Sequence, residues 1–187
     1  MKFIDLLRSW AAPLIAPPRI TAHHDNAPPV QTASNPMQMP TPIMLILRGI
    51  KGHFAARDWP RGALDEQPAR EYALRRGYIG KVLDVSGEAY EGSPQATQAL
   101  AVFRYDPAVM AFYGFSGGGF NIANHILPAL NPAERRRVKL VVVLGAPGSK
   151  TNSTGSWELV WRDDPPGGHM DGPRALLAEL TTKEAVT

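Results

Sequence analysis

The sequence predicts an α/β fold, an open, mostly parallel five-stranded sheet with helices on both faces. Three observations lead there. Short apolar runs alternate along the chain with segments of helical period. The run Leu140 to Leu144 is unbroken aliphatic, the pattern of a strand buried on both faces. And the apolar run ending at Phe115 passes through a glycine-framed serine directly into a helical stretch.

Taken in order, Ile43 to Leu47 is the first buried strand, ended by Arg48-Gly49. Residues 65–76 read as a helix with Ala69, Tyr72 and Ala73 on one face and Gly77 as its C-cap. Lys81 to Val85 is the second strand, closed by Ser86-Gly87. Pro94 opens a helix over 94–104, where its missing N–H costs nothing, and Ala96, Leu100 and Phe103 mark the buried face. The third strand is Val109 to Phe115, followed by a helix from Phe120 to Leu130 with Ala123, Ile126 and Leu127 at helical spacing. Asn131-Pro132-Ala133-Glu134 suggests a short helical turn, and Arg135-Arg136-Arg137 after it reads as a solvated face. Leu140 to Leu144 is the fourth strand, Trp157 to Trp161 the fifth, and Pro173 to Leu180 a closing helix.

Residues 1–42 carry Pro13, Pro17, Pro18, Pro28, Pro29, Pro36, Pro40 and Pro42 among polar residues, so they read as an extended arm, with the folded domain over 43–187. His23-His24-Asp25 within the arm reads as solvated rather than metal-binding. The chain has 187 residues, enough for one domain at ~100–200 residues each. It has no cysteine, which excludes disulfides, thiolate nucleophiles and Cys-held metal, and fits a reducing compartment. Net charge of +3 and a pI near 9.3, without a clustered basic face, make no case for nucleic acid. No run approaches the ~18 apolar residues of a membrane span. Asp5, Arg8 and the early prolines make a poor secretion signal, so the expected location is cytoplasmic.

The sharp motif is Gly114-Phe115-Ser116-Gly117-Gly118, between strand and helix. A turn that tight admits only small residues beside the serine and lifts its hydroxyl above the strand's end. The next backbone N–H, that of Gly117, then faces a developing oxyanion at a helix N-terminus. The glycine spacing matches neither a dinucleotide fingerprint nor a P-loop. In this strand–serine–helix context the chain resembles the α/β-hydrolase superfamily over roughly residues 43–180, and is similar to its minimal, lid-poor members such as cutinases and small bacterial lipases.

That resemblance implies a catalytic triad in the chain order serine, acid, histidine. Two histidines follow Ser116; His125 falls inside the next helix and is carried away, which leaves His169 in the loop after the fifth strand as the general base. The acid is Asp164 or Asp163, with Asp164 preferred because its neighbour can anchor the strand end; Asp171, Glu158 and Asp84 are outsiders. Five or six residues between acid and histidine is short for the superfamily, so Pro165-Pro166-Gly167-Gly168 must double the loop back. By the same resemblance the second oxyanion donor is Ile50 or Lys51, in the glycine-flanked loop after the first strand, with His53 nearby. Trp59 and the pair Trp157 and Trp161 are candidates for an acyl pocket, though strand tryptophans more often pack in cores.

The expected function is hydrolysis of an ester or related acyl bond on a small-molecule substrate, through an acyl-serine and without metal or organic cofactor. Short connections leave little room for a lid. Acyl transfer to another acceptor uses the same residues. A reading of another class is a non-catalytic α/β binding module with a degenerate site.

Overall fold

The computed structural model describes residues 40–50, 66–87, 91–147 and 155–184. The sheet lies in a compact unit spanning Met39–Thr187. In chain order it comprises β1 (Ile43–Leu47), α1 (Glu66–Arg75), β2 (Ile79–Leu83), α2 (Pro94–Tyr105), β3 (Val109–Phe115), α3 (Gly117–Asn121), a π-helical segment (Ile122–Ile126), α4 (Pro132–Arg137), β4 (Leu140–Leu144), β5 (Glu158–Arg162), a 3-10 turn (His169–Asp171) and α5 (Gly172–Glu184). The strands form one five-stranded sheet in the order β2-β1-β3-β4-β5. All four pairings are parallel. Residues 1–39 of the Pro-rich stretch, with Lys51, His53 and Trp59, lie outside the described residues.

Side-chain alternation splits the core in two. Leu45 and Leu47 of β1 and Val141 and Val143 of β4 pack with Phe103, Ile122 and Ile126 under α2 and the helix that leaves Ser116, α3 with its π-helical continuation, called the elbow helix below. Met44, Ile46, Leu140, Val142 and Leu144 pack on the opposite face with Ala69 and Tyr72 of α1 and Leu176 of α5. Helices on both faces force the central strands to be apolar at every position, which is why β4 shows no alternation. Trp157, just before β5, and Trp161 within it both pack in the first of these cores.

Several boundaries differ from the sequence expectation for identifiable reasons. The second strand starts two residues earlier, at Ile79, and runs through Gly80. A Cβ at Gly80 would come within 3.0 Å of Ile46 Cδ1 and 3.2 Å of the Arg70 backbone, so the glycine is a point of close helix-on-strand approach and not a break. The fifth strand is shifted by one, to Glu158–Arg162. The elbow helix begins at Gly117 rather than Phe120. Consecutive glycines disfavour a helix by ~1 kcal/mol each, but close packing selects them here: a Cβ at Gly118 would lie 2.6 Å from the Arg48 carbonyl. The same helix then widens, with Leu127 N–H bonded to the Ile122 carbonyl at 3.0 Å.

Of the arginine triplet Arg136 is exposed, as a solvated face requires, while Arg135 and Arg137 fold back onto the protein. Arg135 donates to the Leu127 and Leu130 carbonyls at 2.8 and 3.2 Å, closing the end of the widened helix. Arg137 donates to the Phe103 carbonyl, and burial holds its guanidinium below the usual arginine range. Among the described residues no helix is long and apolar enough to cross a membrane.

Candidate active site

The parallel order aligns the C-terminal ends of β3, β4 and β5. Phe115 pairs with Leu144, and Leu144 with Arg162. Ser116, Gly145 and the Asp163-Asp164 pair therefore emerge along one edge, the edge where open parallel sheets bind ligands.

Ser116 turns the chain from strand to helix within one residue. Its N–H still bonds to the Leu144 carbonyl of β4 at 2.8 Å, while its carbonyl already accepts the first helical bond from Phe120 N–H at 3.0 Å. The connection places Ser116 at φ 55° and ψ −123°, and among the described residues it is the one non-glycine residue with positive φ. Small neighbours make the turn possible: a Cβ at Gly114 would lie 2.6 Å from both Gly119 N and Ile122 Cδ1, and one at Gly117 would strike the Gly87 carbonyl. Gly117 is the first helical residue, so its N–H has no intrahelical acceptor and points out of the helix end.

The loop after β5 brings the imidazole back. Gly168 N–H bonds to the Pro165 carbonyl at 2.8 Å, and Gly168 takes φ 105°, which reverses the chain between Asp164 and His169. Asp164 Oδ1 then stands 2.7 Å from His169 Nδ1. A carboxylate only accepts, so in the neutral imidazole this contact is made by the tautomer with its proton on Nδ1, whose Nε2 is an acceptor. Asp163 faces elsewhere: its carboxylate takes the Trp161 indole N–H at 3.3 Å. The imidazole stacks on Phe115, the residue before the serine, with ring centroids 4.8 Å apart. It also lies against Gly145, whose φ of 53° and missing side chain leave room for it; a Cβ there would come within 2.9 Å of Nδ1 and would strike Asp164. The pair is partly open to solvent, with the two side chains 38% and 48% exposed. Among the described residues no hydrogen bond joins the Ser116 hydroxyl to His169.

The remaining candidates fall away from this edge or at its margin. Glu158 starts β5 at the sheet's opposite end, paired with Arg76. Asp84 follows β2, with β1 between that strand and the serine's. Asp171 folds over Gly167 in the reversing loop. His125 lies in the π segment, edge-on to Phe120 at 5.6 Å.

The loop after β1 approaches the serine closely. A Cβ at Gly49 would lie 3.1 Å from Ser116 Cβ, and Ile50 Cγ1 lies 2.9 Å from where a Gly117 Cβ would stand. The Gly49 carbonyl accepts Gly87 N–H, from the loop after β2, at 3.1 Å. In a trans peptide the C=O and following N–H point in opposite directions. With its carbonyl turned towards the β2 side, this peptide aims the Ile50 N–H the other way.

Sequence reading passed over three buried polar residues behind this loop: Ser93, Gln95 and Asn121 are all fully buried. Gln95 Nε2 donates to the Arg48 carbonyl at 3.0 Å and the Val85 carbonyl at 2.9 Å. Asn121 Nδ2 donates to Gln95 Oε1 at 3.1 Å and Ser93 Oγ at 3.2 Å. The available signal was an amide on the inward face of each helix: Gln95 beside Ala96 and Ala99, Asn121 beside Ile122. No protein-family model matches the chain, and no curated protein is similar enough to it to count as a relative.

Proposed function

We propose that this chain is a serine hydrolase of the α/β-hydrolase type, cleaving an ester or related acyl bond through an acyl-serine intermediate. One observation carries the reading. A serine held in a strained backbone conformation stands at the end of β3, and a hydrogen-bonded Asp164–His169 pair stands at the same edge, its ring stacked on the preceding residue. Strain of this kind persists only where the surroundings over-determine it, and it concentrates at reactive sites.

In this scheme Ser116 Oγ attacks the carbonyl carbon while His169 Nε2 takes its proton. Asp164 holds the neutral tautomer and then stabilises the imidazolium. The tetrahedral oxyanion accepts from Gly117 N–H and Ile50 N–H. Collapse expels the alcohol, which leaves with the proton from Nε2, and the acyl group stays on Oγ. Water then attacks the acyl carbon while giving a proton to Nε2, and collapse breaks the C–Oγ bond, releasing the acid as Nε2 returns that proton to Ser116 Oγ. The scheme requires no metal or organic cofactor. The absence of a Ser116–His169 hydrogen bond is compatible with it, because such bonds are often long before substrate binds and tighten in the complex.

The test is covalent labelling by a fluorophosphonate, read by intact mass. Wild type is expected to take up one adduct, Ser116→Ala none, and His169→Ala an adduct at least ~10²-fold more slowly. Asp164→Asn should also label slowly, whereas Asp163→Asn should stay within a few-fold of wild type. A well-folded wild type that takes no label would overturn the reading in favour of a non-catalytic binding module.

A further inference from the structure

We propose that Gln95 is a positioning residue for the oxyanion hole, an inference that rests on the hydrolase reading above. Its amide lies wholly inside the protein, in the first turn of α2, and spends both of its donors on carbonyls of two different loops. One is Arg48, at the end of β1, immediately before Gly49 and Ile50. The other is Val85, two residues before Gly87. These carbonyls only accept, so they dictate the orientation of the amide: Nε2 faces them and Oε1 faces away. Oε1 in turn requires a donor, and Asn121 of the elbow helix supplies it at 3.1 Å.

A single side chain thus links three segments that meet at the serine: the loop after β1, the loop after β2 and the helix after β3. Among the described residues every peptide is trans, so each held carbonyl also sets the direction of the next N–H. Gln95 fixes the Arg48–Gly49 plane directly. By holding Val85 it also fixes the loop that brings Gly87 N–H to the Gly49 carbonyl, and that bond sets the Gly49–Ile50 plane. The donor proposed to face the oxyanion, Ile50 N–H, is therefore aimed by hydrogen bonds made behind it. Asn121, on the elbow helix, ties the same network to the segment that carries Gly117 N–H. The chemistry asks for this residue type: Glu would set an anion against two carbonyls, and Asn is one methylene short.

The experiment uses the full chain and two reagents, a fluorophosphonate with a P=O group and its P=S counterpart. Sulfur accepts hydrogen bonds poorly, so the ratio of the two labelling rates reports how well the oxyanion donors are aimed. A general loss of structure moves both rates together. Gln95→Met keeps the volume and removes the hydrogen bonds. Its P=O rate is expected to fall by roughly ten- to a hundredfold, short of the ~10²–10³ loss from deleting a donor outright. The P=O to P=S ratio should fall with it, at a temperature where the variant is folded by circular dichroism. Should that variant not fold, Asn121→Ala, which removes the donor to Gln95 Oε1, takes its place with the same expected direction. A variant that keeps the wild-type P=O rate and ratio, or loses both rates in equal proportion, overturns the positioning role and leaves the hydrolase reading standing. A wild type that takes no label overturns both.

Discussion

At Ser116 the backbone is held at φ 55° and ψ −123°, a region that costs a side-chain-bearing residue about 1–3 kcal/mol. The cost is met because the residue's N–H and carbonyl are bonded into β4 and the elbow helix, leaving no relaxed alternative. Ser116→Gly should therefore stabilise the protein by about 1 kcal/mol, after ~0.5–1 kcal/mol is set against it for the added freedom of glycine in the unfolded chain. Ser116→Ala keeps the Cβ and should bring no such gain. Denaturant midpoints of the two variants check this, and a glycine variant less stable than the alanine variant by that ~0.5–1 kcal/mol would show that the conformation carries no strain. The serine was legible because strand, small residues and helix all surround it in sequence. The sequence only ranked Asp164 ahead of Asp163, on the ground that its neighbour can anchor the strand end; what separates them is that Asp163 meets the Trp161 indole N–H and Asp164 the imidazole.

Among the elements, α4 has its N-terminus closed by local chemistry. Its residues form a capping box: Asn131 Oδ1 accepts from Ala133 and Glu134 N–H, and Glu134 returns a bond to Asn131 N–H. Asn131→Ala should cost about 1 kcal/mol in chemical denaturation. A hydrogen bond from Arg104, joined by the one from Asn131 N–H, holds the Glu134 carboxyl below the ordinary glutamate value. A carboxyl depressed in the folded state stabilises above its unfolded pKa and loses that contribution as pH falls through the folded one. Glu134→Gln should thus lose a few tenths of a kcal/mol at pH 7, allowing for solvent screening, and nothing near pH 2. A difference that persisted at low pH would assign the effect to packing. Asn-Pro-Ala-Glu announced this helix in sequence. The π segment had no such signal in sequence; it shows only in the Leu127 N–H bond to the Ile122 carbonyl, and Arg135 then bonds the carbonyls that follow it.

For the whole molecule, the sheet separates two cores that alternate along each central strand. Val141 and Val142 are neighbours in sequence but belong to opposite clusters. Each Val→Ala substitution should cost about 1–3 kcal/mol, and the double variant should equal their sum within ~0.5 kcal/mol, because the two side chains share no packing partner. A larger coupling in the double-mutant cycle would mean that the sheet transmits strain between its faces. The same layering places α1 and α5 on one side and α2 and the elbow helix on the other, and it leaves the C-terminal strand edge open for the serine, the imidazole and the loops behind them.

By itself the sequence determined what local physics controls: the period of each element, the α/β class, the serine turn and the cap of α4. Apolar period and turn chemistry are properties of a few consecutive residues, so they are readable without the fold. The tertiary structure alone decided the strand order that brings β5 beside β4, the carboxylate that meets His169, and the burial of Gln95 and Asn121 between loops distant in sequence. Each of these depends on which donor meets which acceptor once separate segments pack. A buried amide looks the same in sequence as a solvated one until the carbonyls it serves have been brought to it.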